Sequence, residues 1–240
     1  MFYIFFAIFV ELQLPSHMKR LSIALAAALV LGILGCTLEN NDSSAYEAVD
    51  LGLSVKWAAC NLGASRPQES GYHLAWGETE AKGDYKWATY KWANGYYNKL
   101  TKYCSIRGTD YWDGDGDPDD KTVLDPEDDV AHVKLGGSWR MPTDSEWKEL
   151  INNCAWAWTT LNGVNGRIVT GPNGNSIFLP AAGCQDGAGL YYAGSGGYYW
   201  SSSLGGGTPD FAWQAGFYSG DVGGGWLSRC RGFSVRPVSE

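Results

Sequence analysis

Pro142-Thr143-Asp144-Ser145-Glu146-Trp147-Lys148-Glu149-Leu150-Ile151-Asn152-Asn153-Cys154 is the stretch that decides the fold. The Thr143 hydroxyl can accept from the Glu146 backbone N–H while the Glu146 carboxylate reaches back to residue 143, the reciprocal pair of a capping box. Trp147, Leu150, Ile151 and Cys154 then fall at i, i+3, i+4 and i+7, one apolar stripe. The spacing predicts a single main helix over about 143–154, which needs a sheet to lie on. Arg167–Thr170 and Ser176–Ala181 flank Gly171-Pro172-Asn173-Gly174-Asn175, a hairpin with strong turn chemistry. Phe211, Trp213, Ala215 and Phe217 alternate along another strand, Phe233 and Val235 along the last, and Leu51, Leu53, Val55 and Trp57 near the start. Tyr72–Trp76 reads as a further short strand. Lys82–Ile106 is aromatic without a period, as a long loop pinned by its rings would be. The expected class is α+β: short antiparallel strands, one main helix and long glycine- and aromatic-rich loops.

The composition agrees. Of 240 residues 45% are hydrophobic and 18% charged, with 32 glycines and 12 tryptophans, enough apolar side chain to close a core. The formal charge of -8 gives no electrostatic reason to bind nucleic acid or an anionic membrane surface.

The N-terminus carries an address. Met18-Lys19-Arg20, an apolar run from Leu21 to Leu34 and then Gly35-Cys36 have the layout of a secretory signal, the run being short for a bilayer span. Ile33-Leu34-Gly35-Cys36 resembles a bacterial lipobox, which implies acylation of Cys36 and removal of residues 18–35. Thr37 in place of Asp after that cysteine implies, by the same resemblance, a lipid anchor in the outer membrane, with the domain facing the cell surface or, as the alternative, the periplasm. Residues 1–17 precede a complete signal without targeting logic and read as a start-site extension, with Met18 as the alternative start. Residues 36–48 are polar and aperiodic, a flexible tether, and 49–240 form one domain.

Asp50–Ala64, Leu124–Asp129, Gly136–Trp147, Phe178–Gly183, Tyr198–Ser203 and Gly232–Val238 together resemble the Fibrobacter succinogenes major paralogous domain, found in lipoproteins of gut Bacteroidota. The resemblance covers about Val49 to Val238. It implies a fold related to formylglycine-generating enzymes and to C-type-lectin-like domains, with terminal strands adjacent and long loops on one face.

Several constellations are candidates for function. Asp113, Asp115, Asp117 and Asp119 place carboxylates at alternate positions, as a calcium loop does. Pro118 and Leu124 stand where an EF-hand needs Gly and Glu, so the choice lies between another kind of calcium site and a solvated acidic loop. Asp125, Glu127, Asp128 and Asp129 either add ligands or cap a turn. Calcium-lectin sugar motifs are lacking at Thr208-Pro209-Asp210 and Trp213-Gln214-Ala215. Tyr191, Tyr192 and Trp226 sit in glycine-rich surroundings where flat rings can stack on sugar faces, with Asp186, Asp210 and Asp221 as hydroxyl acceptors. Tyr198, Trp200, Trp213 and Phe217 read as core.

No nucleophile motif, histidine metal pair or phosphate loop is present, and His73 and His132 are isolated. The formylglycine-type oxidoreductase alternative needs two close thiols; Trp226–Arg236 holds only Cys230, so Cys184 would have to approach it. In an oxidising setting the expected disulfides are Cys184 with Cys230 and Cys60 with Cys154. The reading is a non-catalytic binding or adhesion module for a glycan or a surface protein, its ligand presented to residues 184–229; a passive structural coat is the remaining alternative.

Overall fold

The computed structural model describes residues 46–105 and 110–240. The expected signal peptide and upstream extension, Cys36 and most of the expected tether lie outside the described residues. In chain order the elements are β1 (Ala48–Val49), β2 (Lys56–Ala58), a 3-10 turn (Trp87–Thr89), α1 (Val130–Leu135), α2 (Asp144–Asn153), β3 (Ala155–Leu161), β4 (Val164–Thr170), β5 (Ser176–Pro180), β6 (Cys184–Asp186), β7 (Gly189–Tyr191), β8 (Gly196–Leu204), β9 (Phe211–Tyr218), β10 (Val222–Ser228) and β11 (Val238–Ser239). Three antiparallel three-stranded sheets, β1-β2-β11, β3-β4-β5 and β10-β9-β8, stand beside the β6-β7 pair. The regular structure of the described residues is mostly strand, in open antiparallel sheets with two helices, an arrangement consistent with the expected α+β class. Among the described residues no helix is long and apolar enough to cross a membrane.

Helix α2 forms as its sequence dictates. Thr143 Oγ1 accepts from the Glu146 N–H (3.2 Å), and Glu146 Oε2 accepts from the Thr143 N–H (2.8 Å). Trp147 and Leu150 are wholly buried, and Cys154 is the C-cap. The stripe lies on one face of β8–β10, with Trp213, Ala215 and Phe217 from β9 and with Val169, Ile177 and Leu179 from the β3–β5 sheet. The opposite face of β8–β9, carrying Tyr198, Trp200 and Ala212, is covered by Leu74, Trp76, Tyr103 and α1. With both faces covered, β8 is buried at every residue.

Several boundaries differ from expectation. The domain begins before residue 49: β1 includes Ala48, and Tyr46 packs against the core with its hydroxyl accepting from the Gly63 N–H (2.9 Å). Asp50–Cys60 contributes only the three-residue β2, although Leu51, Val55 and Trp57 do face the core. Tyr72–Trp76 is not a strand; Leu74 makes a single bridge to Phe233. A second helix, α1, is present, its N-terminus capped by Asp129, whose carboxylate accepts from the Ala131 and His132 N–H groups. The hairpin at 171–175 forms with Thr170 opposite Ser176.

Residues 82–105 make few ladder contacts and are pinned by aromatic tips. Tyr90 donates its hydroxyl to the Trp76 carbonyl (2.7 Å), Trp92 donates Nε1 to the Gly77 carbonyl (2.9 Å), and Tyr103 donates to Asp128 Oδ2 (2.6 Å). Two arginines near the end of the chain are wholly buried, and Arg229 completes this region. Arg229 donates to the carbonyls of Lys102, Tyr103 and Pro209 and to the Tyr90 hydroxyl; Arg236 donates to the carbonyls of Ala58 and Phe178 and to Asn61 Oδ1. The Arg229 guanidinium thus satisfies loop carbonyls at 102, 103 and 209, and Arg236 ties β2 to β5.

Candidate functional site

A groove of about 630 Å³ opens beside the first turn of α2. Asp144 and Lys148 of that helix form one wall, Trp213 and Trp226 another, with the Gly205–Gly207 loop and Thr122 at its margin. The strand register explains the tryptophans. Trp226 on β10 lies directly opposite Trp213 on β9, so both project from the sheet face that α2 covers. Trp213 is nearly buried because its ring crosses Gly224, where an added Cβ would come within 2.0 Å of the indole. Trp226, beyond the end of the helix on the outer strand, keeps 55% of its surface exposed. Gly206 packs against it, with room for a Cβ only 3.3 Å from the ring.

The polar wall is held in place. Lys148 Nζ lies 2.7 Å from Asp144 Oδ2 and 5.7 Å from the Trp213 ring centre. The Ser203 hydroxyl accepts from the Asp144 N–H (3.1 Å) and donates to Asp144 Oδ1 (3.2 Å). Burial pushes the Asp144 carboxyl up, but the hydrogen bond and charge of Lys148, together with Ser203, hold it below the ordinary aspartate value. The groove therefore offers an anionic acceptor, a cationic donor and an aromatic plate.

The six ligand-binding candidates are not brought together. Only Trp226 lines the groove. Tyr191 and Tyr192 are exposed at the end of the β6–β7 hairpin, where Tyr192 meets Tyr218 edge-on (ring centres 6.3 Å apart) and tilts against Tyr198. Tyr198 and Tyr218 alternate with the α2-facing residues, so this tyrosine patch belongs to the opposite face of the same sheet. Asp186 is ion-paired to Arg231 (2.9 Å). Asp221 sits in the β9–β10 turn, its carbonyl accepting from Tyr218 and Arg167. Asp210 is buried, and its Oδ1 has no hydrogen-bond partner among the described residues, so it is no surface acceptor. Asp144 and Lys148 escaped the sequence reading because a capping helix accounts for both; their spacing of four on an exposed helix face was the available signal.

The four candidate calcium ligands do not converge either. Asp113 accepts from Asn94 Nδ2 (2.8 Å), while both Asp119 oxygens accept from backbone N–H groups of Tyr103 and Cys104. Asp115 and Asp117 are exposed. Among the described residues the carboxylates that approach one another are Asp125, Glu127 and Asp128. Lys102 Nζ stands among them at 2.7, 3.5 and 2.6 Å, where a cation would sit. Burial opposes the charge on Lys102, yet the Asp125 and Asp128 hydrogen bonds prevail and raise its pKa.

Neither expected disulfide forms. Cys184 packs with Leu74, Tyr198 and Phe233, whereas Cys230 packs with Ala75, Tyr85 and Tyr90, in separate clusters. Cys60 is buried after β2, whereas Cys154 ends α2 beside Trp147 and Leu150. Burial pushes the Cys230 thiol up to about 12 and raises Cys184 as well, so neither is a thiolate at neutral pH.

Fold and groove define a domain of open antiparallel sheets with two helices and a cleft lined by two tryptophans. No family model, curated protein or solved structure matches the chain.

Proposed function

We propose that the chain is an exported lipoprotein, anchored through Cys36 at the outer membrane, whose C-type-lectin-like domain is a non-catalytic module binding a glycan in the Trp226 groove. The observation that carries this reading is the indole of Trp226, more than half exposed on the wall of a cleft that also presents a fixed carboxylate and ammonium. A flat ring beside hydrogen-bonding groups suits the alternating CH faces and hydroxyls of a sugar. The packing of Cys184 and Cys230 in separate clusters, with burial raising both thiols, favours a binding module over a thiol oxidoreductase.

A glycan array probed with the full-length chain, with calcium and then with chelator, tests it. The expected result is retention that survives chelation, is lost in Trp226→Ala and is kept in Tyr192→Ala. Retention unaffected by Trp226→Ala would reject the groove, and a blank array with the wild-type chain would transfer the module to a protein ligand.

A further inference from the structure

Resting on the groove as a glycan site, we infer that its ligand is an uncharged pyranose whose vicinal diol bridges Asp144 and Lys148 while its apolar face lies on Trp226. Lys148 Nζ and Asp144 Oδ2 are 2.7 Å apart, close to the gap between the two oxygens of a gauche vicinal diol. One hydroxyl can donate to the carboxylate while its neighbour accepts from the ammonium, both bonds being charge-assisted. The carboxylate is already oriented by Ser203, and the helix places Lys148 one turn on, where its ammonium meets that carboxylate.

The charge balance selects against acidic sugars. Among the described residues the groove wall carries one cation, Lys148, paired with one anion, Asp144, and the chain as a whole carries -8. A uronate carboxylate entering the groove would have to compete with Asp144 for Lys148, displacing a partner it cannot replace in geometry. A neutral sugar leaves the ion pair intact and adds hydrogen bonds to it. Methyl-bearing or deoxygenated positions are tolerated on the Trp226 side but not at the diol.

Saturation-transfer NMR of the full-length chain with methyl pyranosides, neutral ones and methyl uronosides side by side, tests the inference. Neutral sugars with a free vicinal diol are expected to receive saturation, with uronosides roughly tenfold weaker. Asp144→Asn and Lys148→Met are each expected to weaken the neutral sugars roughly tenfold or more, the loss of one charged hydrogen-bond partner. Lys148 is half-exposed, so Lys148→Met keeps the test valid if Asp144→Asn disturbs the helix start. Uronosides equal to or stronger than neutral sugars, or wild-type affinity in Lys148→Met, would overturn the inference while leaving the groove reading standing. Transfer unchanged in Trp226→Ala would instead remove the groove reading itself.

Discussion

The described residues of 61–128 and residues 155–228 are held in place by opposite means. The later stretch is ladder-built: β3–β5 and β8–β10 pair backbone to backbone, and alternate side chains enter a core. The earlier stretch has almost no ladder. Its carbonyls are met by indole N–H groups, tyrosine hydroxyls and the Arg229 guanidinium, while its carboxylates are met by Lys102 and Tyr103. A ladder spreads its stability over many weak, equivalent bonds, whereas a stapled loop concentrates it in a few atoms.

That contrast can be broken most sharply at Arg229. Arg229→Met strips donors from the carbonyls of Lys102, Tyr103 and Pro209 in a site closed to water. A loss of about 3–5 kcal/mol is expected in urea unfolding. A loss under 1 kcal/mol would mean water reaches those carbonyls and the staple is not structural. Tyr103→Phe comes next, at about 1–3 kcal/mol. It removes the donor to Asp128 and the acceptor of the Asp125 N–H (3.0 Å), and thermal unfolding should show the drop without loss of sheet signal.

Thr143→Ala, at the start of the helix that lies on the ladder-built part, should cost only about 1 kcal/mol, since one cap is removed from a helix otherwise held by packing. Circular dichroism would register it as a small shift in midpoint. The smallest effect is electrostatic. Hydrogen bonds from Lys102 and Lys121 outweigh burial and lower the Asp125 pKa, so its contribution is complete above the unfolded value of about 3.9 and is lost as pH falls through the folded one. Lys102, with its raised pKa, contributes fully below about 10.4 and loses that contribution as pH rises through its folded value. Lys102→Met should flatten the stability profile at both ends, and an unchanged profile would remove the cluster from the ledger of loop order.

The two regions also differ in how far they could be read. Helix α2, the β4–β5 hairpin and the inward face of β9 were legible because a period and a turn or cap coincide there. The Tyr72–Trp76 expectation failed because Leu74, Ala75 and Trp76 are buried in succession, with a single bridge from Leu74 to Phe233 in place of a ladder. Strand β8 has no alternation to read, both its faces being covered. Strand β3 follows α2 without a break, and its marker was Asn162-Gly163, both with positive φ in the turn to β4. At six residues, α1 is too short to show a stripe. For the site, Trp226 stood out after three glycines, but its partners come from a helix start and a loop that only the fold brings beside it.

Arg229 and Arg236 carry a consequence for the order in which the chain takes shape. Both lie within the last dozen residues, yet they close backbone groups at 58, 102 and 103, and β11 completes the sheet begun by β1 and β2. The first part of the domain therefore cannot mature as it is synthesised; it waits for the final residues to arrive. A chain ending at Ser228 would retain every strand from β3 to β10 and still lack the pieces that lock its beginning.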